Sequence, residues 1–108
     1  MGATSTGWFY QAGTNISGGT APGSTAHQIT AVFHHATLSS RMLVDNAVVL
    51  ASDPGANNGG AQASVGSLAS STNPLTGAIC ELIYYPYELS PPQIEQNWRY
   101  LKAKWGTP

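Results

Sequence analysis

The chain has 108 residues, of which only 8% are charged, with a formal net charge of −1 and a single cysteine, Cys80. That length allows one domain and one modest core, and the charge balance lacks the basic surplus that draws a protein to nucleic-acid phosphates. A lone cysteine excludes an intramolecular disulfide and a cysteine-built zinc site. No apolar run approaches the ~20 residues that cross a bilayer, and the start, MGATSTGWFY, carries neither the basic region nor the long apolar region of a signal peptide. Neither nucleic acid nor membrane is expected as a partner. Abundant Gly, Ala, Ser and Thr beside few charges suit an extracellular or assembled protein better than a freely diffusing cytosolic enzyme.

In chain order, GWFYQAG is an aromatic run ended by Gly13, which predicts a short strand at a sheet edge. From Asn15 to Ser24 the residues NISGGTAPGS favour turns and offer no periodic face, which predicts a loop. AHQITAVFHH alternates: Ile29, Ala31 and Phe33 fall on one face and Gln28, Thr30, Val32 and His34 on the other, the period of a core strand. After residues 36–40, RMLVDNAVVLAS places two β-rich runs around Asp45-Asn46, which tolerate the left-handed conformation of a tight hairpin turn. DPGANNGGA is dense in turn formers and predicts a surface loop. A short run at 63–68, with Val65 and Leu68, and the polar turn ASSTNPLTG follow.

From Gly77, GAICELIYYPYEL predicts the strongest strand of the chain. Ile79, Glu81 and Ile83 share one face, and Cys80, Leu82 and Tyr84 the other, until Pro86 removes a ladder donor. Apolar residues on both faces predict an inner strand with Cys80 buried as a small apolar residue. The last segment, LSPPQIEQNWRYLKAKWG, carries helix signals at matching offsets over 91–105. Ser90 and Gln93 form an S-x-x-Q capping box, Pro91 suits the first helical position, and Leu89 can staple to Ile94. Ile94, Trp98, Leu101 and Trp105 make one apolar stripe for docking on the sheet, with Glu95, Arg99 and Lys102 towards the other side. A Trp105 buried in that stripe implies that its truncation to Ala costs about 3–5 kcal/mol. Lys102 and Lys104 complement the helix dipole, and Gly106 supplies a stop.

The order of that closing strand and helix resembles the end of concanavalin A-like, laminin G-like jelly rolls. The matching residues are Gly77, Ile79, Glu81, Leu82, Ile83, Tyr85, Leu89, Ser90, Tyr100, Leu101, Lys104, Trp105 and Gly106, with HQITAVFHH and SSRMLVDNAVVLAS resembling the family's adjacent strand and hairpin. The resemblance implies a mainly β fold: an antiparallel β-sandwich, as a partial or reduced jelly roll, with one C-terminal α-helix. The whole chain, 1–108, is then a single domain with its strand region over 8–87. A complete jelly roll of this type is considerably longer, so the resemblance also implies either a piece of a larger protein or a reduced form covered by another subunit. Met1-Gly2 resembles a natural start and favours the second. An uncovered sheet edge and apolar face invite association, which implies assembly.

Catalysis finds no support in the residue pattern. Glycoside hydrolases that resemble this family carry paired carboxylates in an E-x-D-x-x-E arrangement, whereas Asp45, Asp53, Glu81, Glu88 and Glu95 are scattered. Glu81 reads as a strand residue paired with Arg99 or backbone. His34 and His35 point to opposite faces of a strand, and His27 is too distant to share an ion with His35, so the imidazoles read as surface or interface groups. There is no nucleophile elbow to make a Ser/His/Asp set specific. Asp53, Asn57 and Asn58 are the one loop set with ligand oxygens, but the EF-hand spacing is absent. Asn15-Ile16-Ser17 is a glycosylation sequon. No catalytic residue, metal or cofactor is expected.

The aromatics divide into Trp98, Tyr100 and Trp105, which pack the helix, and two clusters suited to an interface or a sugar platform: Trp8, Phe9, Tyr10 and Tyr84, Tyr85, Tyr87. Domains with the Y-L-x-x-K-W-G ending resemble those of tailed-bacteriophage structural proteins. The expectation is a non-enzymatic virion module, a capsid decoration or cement protein at the capsid surface. Its partners would be its own copies, a trimer being favoured, and the major capsid or other virion proteins. The alternative is an extracellular carbohydrate-binding module, or part of a larger adhesive protein, contacting sugar through the Asp53–Gly60 loop.

Overall fold

A computed structural model describes residues 2–4, 7–11, 15–20, 23–34, 40–52 and 76–108. The described chain is mainly β: two three-stranded antiparallel sheets, followed by one C-terminal helix. The first sheet contains β1 (Gly2–Thr4), β2 (Gly7–Gln11) and β3 (Asn15–Gly18), in that spatial order. The aromatic run expected at an edge is therefore the middle strand, and part of the expected loop is its partner. β2 pairs Gln11 with Asn15 and Trp8 with Gly18 on one side, and Phe9 with Gly2 on the other. A ladder needs only backbone donors and acceptors, so a short polar segment without alternation becomes a strand when a neighbour lies alongside.

The second sheet contains β4 (Ile29–Val32), β5 (Arg41–Val44) and β6 (Ala47–Ala51), in that order. β5 and β6 form the expected hairpin, closed by Asp45 at φ 50° and Asn46 at φ 66°, with Val44 opposite Ala47. Two successive left-handed residues give a turn whose twist matches the strands, and Asp and Asn adopt that conformation at the lowest cost after glycine. The pairing shifts between Met42 and Leu43, whose partners are Leu50 and Val48, so Val49 is the extra residue of a bulge.

Both faces of this sheet are covered. Met42, Val44 and Leu50 form one buried cluster, with Ile29 and Val49 against it. The first sheet approaches on that side: a Cβ added to Gly18 would lie 2.9 Å from Leu50 Cδ2, so the glycine makes room for the leucine. Val32 and Leu43 face the other way, into a cluster with Leu89 and Ile94. Alternation along β5 sends Met42 and Val44 to one core and Leu43 to the other. Val32, expected on a polar face, is buried because the helix covers it, whereas Phe33, expected inside, is half exposed because β4 ends before it.

Two polar residues fasten the strand ends. Buried Ser40 accepts the His34 N–H at 2.9 Å, donates to the His34 carbonyl at 3.2 Å, and its own carbonyl takes the Ser52 N–H. Asp45 Oδ1 accepts the Gln28 N–H at 3.0 Å, Oδ2 lies 2.7 Å from His27 Nδ1, and the Asp45 N–H donates to the Gln28 carbonyl. The turn residue thus ties the start of β4 to the hairpin tip.

Helix α1 spans Pro91–Trp105, the expected bounds. Ser90 donates its N–H to Gln93 Oε1 at 2.8 Å and its hydroxyl to the same oxygen at 2.9 Å. Leu89 and Ile94 share the buried cluster, as the staple requires. Gly106, at φ 68°, donates its N–H to the Lys102 carbonyl and turns the tail so that the Pro108 carbonyl accepts the Trp98 indole N–H.

The expected inner strand from Gly77 is a correction. Residues 77–89 form no ladder among the described residues. Cys80 is exposed rather than buried. Its apolar alternation matches a strand, but a strand exists only where a second backbone accepts its hydrogen bonds. The loop with Asp53, Asn57 and Asn58, the 63–68 run and the turn up to residue 75 lie outside the described residues.

Candidate functional site

The segment after Gly77 runs antiparallel to α1, joined to it at three levels. Glu81 meets the end of the helix, Tyr85 its middle, and Leu89 its first turn. Tyr85 is half buried against the Val32, Leu43, Leu89 and Ile94 cluster, and its hydroxyl donates to Asn97 Oδ1 at 3.2 Å. Below it, His34 Nε2 lies 3.5 Å and Arg41 Nη1 3.8 Å from the Glu88 carboxylate, which links the segment to the sheet.

Glu81 gathers three partners at the helix end. The Trp105 indole N–H donates to Oε2 at 2.7 Å, the Tyr100 hydroxyl to Oε1 at 3.2 Å, and Lys104 Nζ lies 3.1 Å from Oε2. Lys104 also donates to the Tyr100 hydroxyl at 2.8 Å and sits 5.2 Å and 5.4 Å from the Tyr100 and Trp105 ring centres. The expected partner, Arg99, is instead held by Glu95 one turn earlier, at 2.6 Å. Trp105 is 43% exposed, so it belongs to this polar clasp rather than to a buried stripe. Only Ile94 of that stripe is buried; Trp98 and Leu101 are half buried, because docking is concentrated at the helix start.

The hydrogen bond from Trp105, with those from Lys104 and Tyr100, holds the Glu81 carboxyl below its usual range despite some desolvation. Hydrogen bonding to Tyr100, then Glu81, raises Lys104 above its usual range. A lowered carboxylate stabilises the fold above its ordinary pKa, and that contribution is lost as pH falls through the lowered value. A raised amine stabilises below its ordinary pKa, and that contribution is lost as pH rises through the raised value. The clasp is therefore expected to hold across neutral pH and to open on acidification below the ordinary carboxylate range. Following the Trp105 indole N–H resonance against pH checks this: it should move in acid in the native chain and stay flat there in Glu81→Gln. An acid transition preserved in Glu81→Gln would assign it to another group.

Outside the clasp, the segment turns apolar side chains to solvent. Ile79, Leu82 and Ile83 are exposed, as is Tyr84 at 82% and Tyr87 at 60%. Trp8, Phe9 and Tyr10 fall on β2, opposite Gly18, Ser17 and Ile16, so the two expected aromatic clusters occupy different elements. His27 bonds to Asp45 and Thr25, and no group of three or more His, Cys, Asp or Glu among the described residues could hold a metal ion. No described helix is long and apolar enough to cross a membrane.

Two hollows flank α1. One, of about 340 Å³, lies between its first turn and the hairpin, lined by Leu43, Val48, Pro91 and Ile94 with Arg41 and Glu95. The other, of about 210 Å³, lies on the opposite flank, lined by Tyr85, Tyr87, Leu89, Gln93, Gln96 and Asn97. Single-residue patterns missed both Asp45 as a tertiary anchor and this amide-rich helix flank, whose only signal is the Q-x-x-Q-N spacing from Gln93. Comparison with known proteins adds no relative: no protein-family model, no curated protein and no solved structure matches the chain.

Proposed function

We propose that this chain is a non-enzymatic assembly module, a partial or reduced jelly-roll β-sandwich that acts as a capsid decoration or cement protein. The observation that carries the assembly reading is the apolar stretch of the 77–87 segment, where Ile79, Leu82, Ile83 and Tyr84 are exposed and no ladder is formed among the described residues. A run of this kind is the surface that soluble monomers seldom leave open, and an extended segment of this kind can add to the sheet of a neighbouring copy. The virion setting is supported by the resemblance of the sequence of the closing segment and helix to tailed-bacteriophage structural proteins. In this reading copies associate through the segment, a trimer being favoured, and clamp neighbouring shell subunits without a cofactor.

Light scattering across a dilution series tests the reading. The native chain is expected to give a discrete oligomer. Leu82→Asp/Tyr84→Asp should shift it to a monomer with an unchanged helix signal, because both side chains are exposed and removing them leaves the core intact. A folded native monomer at all concentrations, or an oligomer indifferent to the double substitution, overturns it.

A further inference from the structure

We infer that Thr25 is a modification site, a surface hydroxyl activated to take an acyl group from a thioester or an aryl ester. Its Oγ1 lies 3.2 Å from His27 Nε2, and the other ring nitrogen, Nδ1, lies 2.7 Å from Asp45 Oδ2. A hydroxyl within reach of a base, with that base oriented by a third group, is the arrangement that activates an oxygen nucleophile, wherever in the chain its members come from. The partners fix the tautomer. An ionised carboxylate only accepts, so the neutral imidazole carries its hydrogen on Nδ1 and turns the lone pair of Nε2 to the Thr25 hydroxyl, which donates.

The fold holds these groups in line. Thr25 and His27 precede β4, whereas Asp45 stands 18 residues after His27 in the hairpin turn. Asp45 Oδ1 takes the Gln28 N–H at 3.0 Å and the Asp45 N–H goes to the Gln28 carbonyl, so the carboxylate is anchored beside the ring. The His27 and Asp45 side chains are 21% and 18% exposed, while Thr25 is exposed, so the base is sheltered from water and the hydroxyl is open to a reagent. In the reaction the Thr25 oxygen bonds to the carbonyl carbon of the donor and its proton passes to His27 Nε2. The bond from that carbon to the leaving oxygen or sulfur then breaks, and the imidazolium returns the proton to the leaving group. The products are an ester on Thr25 and a free phenol or thiol. Asp45 acts as a positioning residue. The site does not rest on the assembly reading, because none of its residues belongs to the 77–87 segment.

The test is to treat the full chain with p-nitrophenyl acetate at neutral pH and follow acetylation by peptide-mapping mass spectrometry. Thr25 should be acetylated faster than any other hydroxyl, with lysine acetylation as the internal reference. Thr25→Ser should keep the reaction at that position and Thr25→Val should abolish it. His27→Gln should slow it by about a hundredfold, the scale of a lost general base, with lysine acetylation and the thermal melt unchanged, since glutamine can still donate to Asp45. Free imidazole should restore labelling in His27→Ala, an effect that a merely structural histidine would not show. On the native chain, nitrogen-15 NMR of the His27 ring should show the hydrogen on Nδ1, and Asp45→Asn should mix the two tautomers and slow labelling. The inference is overturned if Thr25 reacts no faster than the neighbouring Ser24, if His27→Gln leaves its rate unchanged, or if the native ring carries its hydrogen on Nε2.

Discussion

Ile94→Ala is expected to destabilise the chain by about 2–5 kcal/mol, the cost of emptying a packed aliphatic site. Ile94 is 4% exposed and lies where the helix start, the segment end and the sheet converge, against Val32, Leu43 and Leu89. Removing it leaves a void bounded by three elements, and Pro91 and Pro92 at the helix start restrict how far that turn can relax into it. For a domain of this size each kcal/mol shifts the melting temperature by about 4–8 °C, so thermal unfolding reads the effect directly. Trp105→Ala should cost less, although it removes a larger side chain, because that ring is nearly half exposed and its indole bond is made at the surface. A larger loss in Trp105→Ala than in Ile94→Ala would mean that the helix docks through its whole stripe rather than through its first turn.

Asp45→Ala is the second large effect, with an expected loss of about 2–5 kcal/mol from two sources. The Gln28 N–H, on a buried residue, loses its acceptor, which costs about 1–3 kcal/mol. The position also holds φ 50°, where a Cβ without a local hydrogen-bonding side chain costs about 1–2 kcal/mol. Two further variants separate these sources. Asp45→Gly removes the acceptor but relieves the backbone, whereas Asp45→Asn keeps both an acceptor and a tolerant backbone and should lose least. Chemical denaturation of the three variants checks the order Ala, Gly, Asn from least to most stable. Equal losses in all three would place the effect in the hydrogen bond with His27 instead.

Ser40 and Asp45 show how little of the tertiary wiring is marked in side-chain patterns. Asp45 is conspicuous as a turn former, but its second task, holding the start of β4, depends on a residue 17 positions away. Ser40 sits in a segment that gives no sign beyond polarity, yet it is almost fully buried and connects β4, β5 and the end of β6. The amide-rich flank of α1 is legible only as spacing; it becomes a hollow because Tyr85 and Tyr87 are carried past it by the returning segment.

The sequence by itself determined the local elements whose signals lie within a few residues of one another. Ser90, Gln93, Pro91 and Gly106 delimit the helix at 91–105, and Asp45-Asn46 place the hairpin, since caps and left-handed turns are satisfied by neighbours in the chain. Only the tertiary structure decided which backbones pair. It made the Gly7–Gln11 run a middle strand and Asn15–Gly18 its partner, and it left the apolar 77–89 segment without a ladder among the described residues. It also moved Trp105 out of the core and gave Glu81 to Lys104 rather than Arg99. The physical reason is the same in each case: strand pairing and burial depend on groups distant in sequence, and a periodic pattern states what a segment can bury without stating what will cover it.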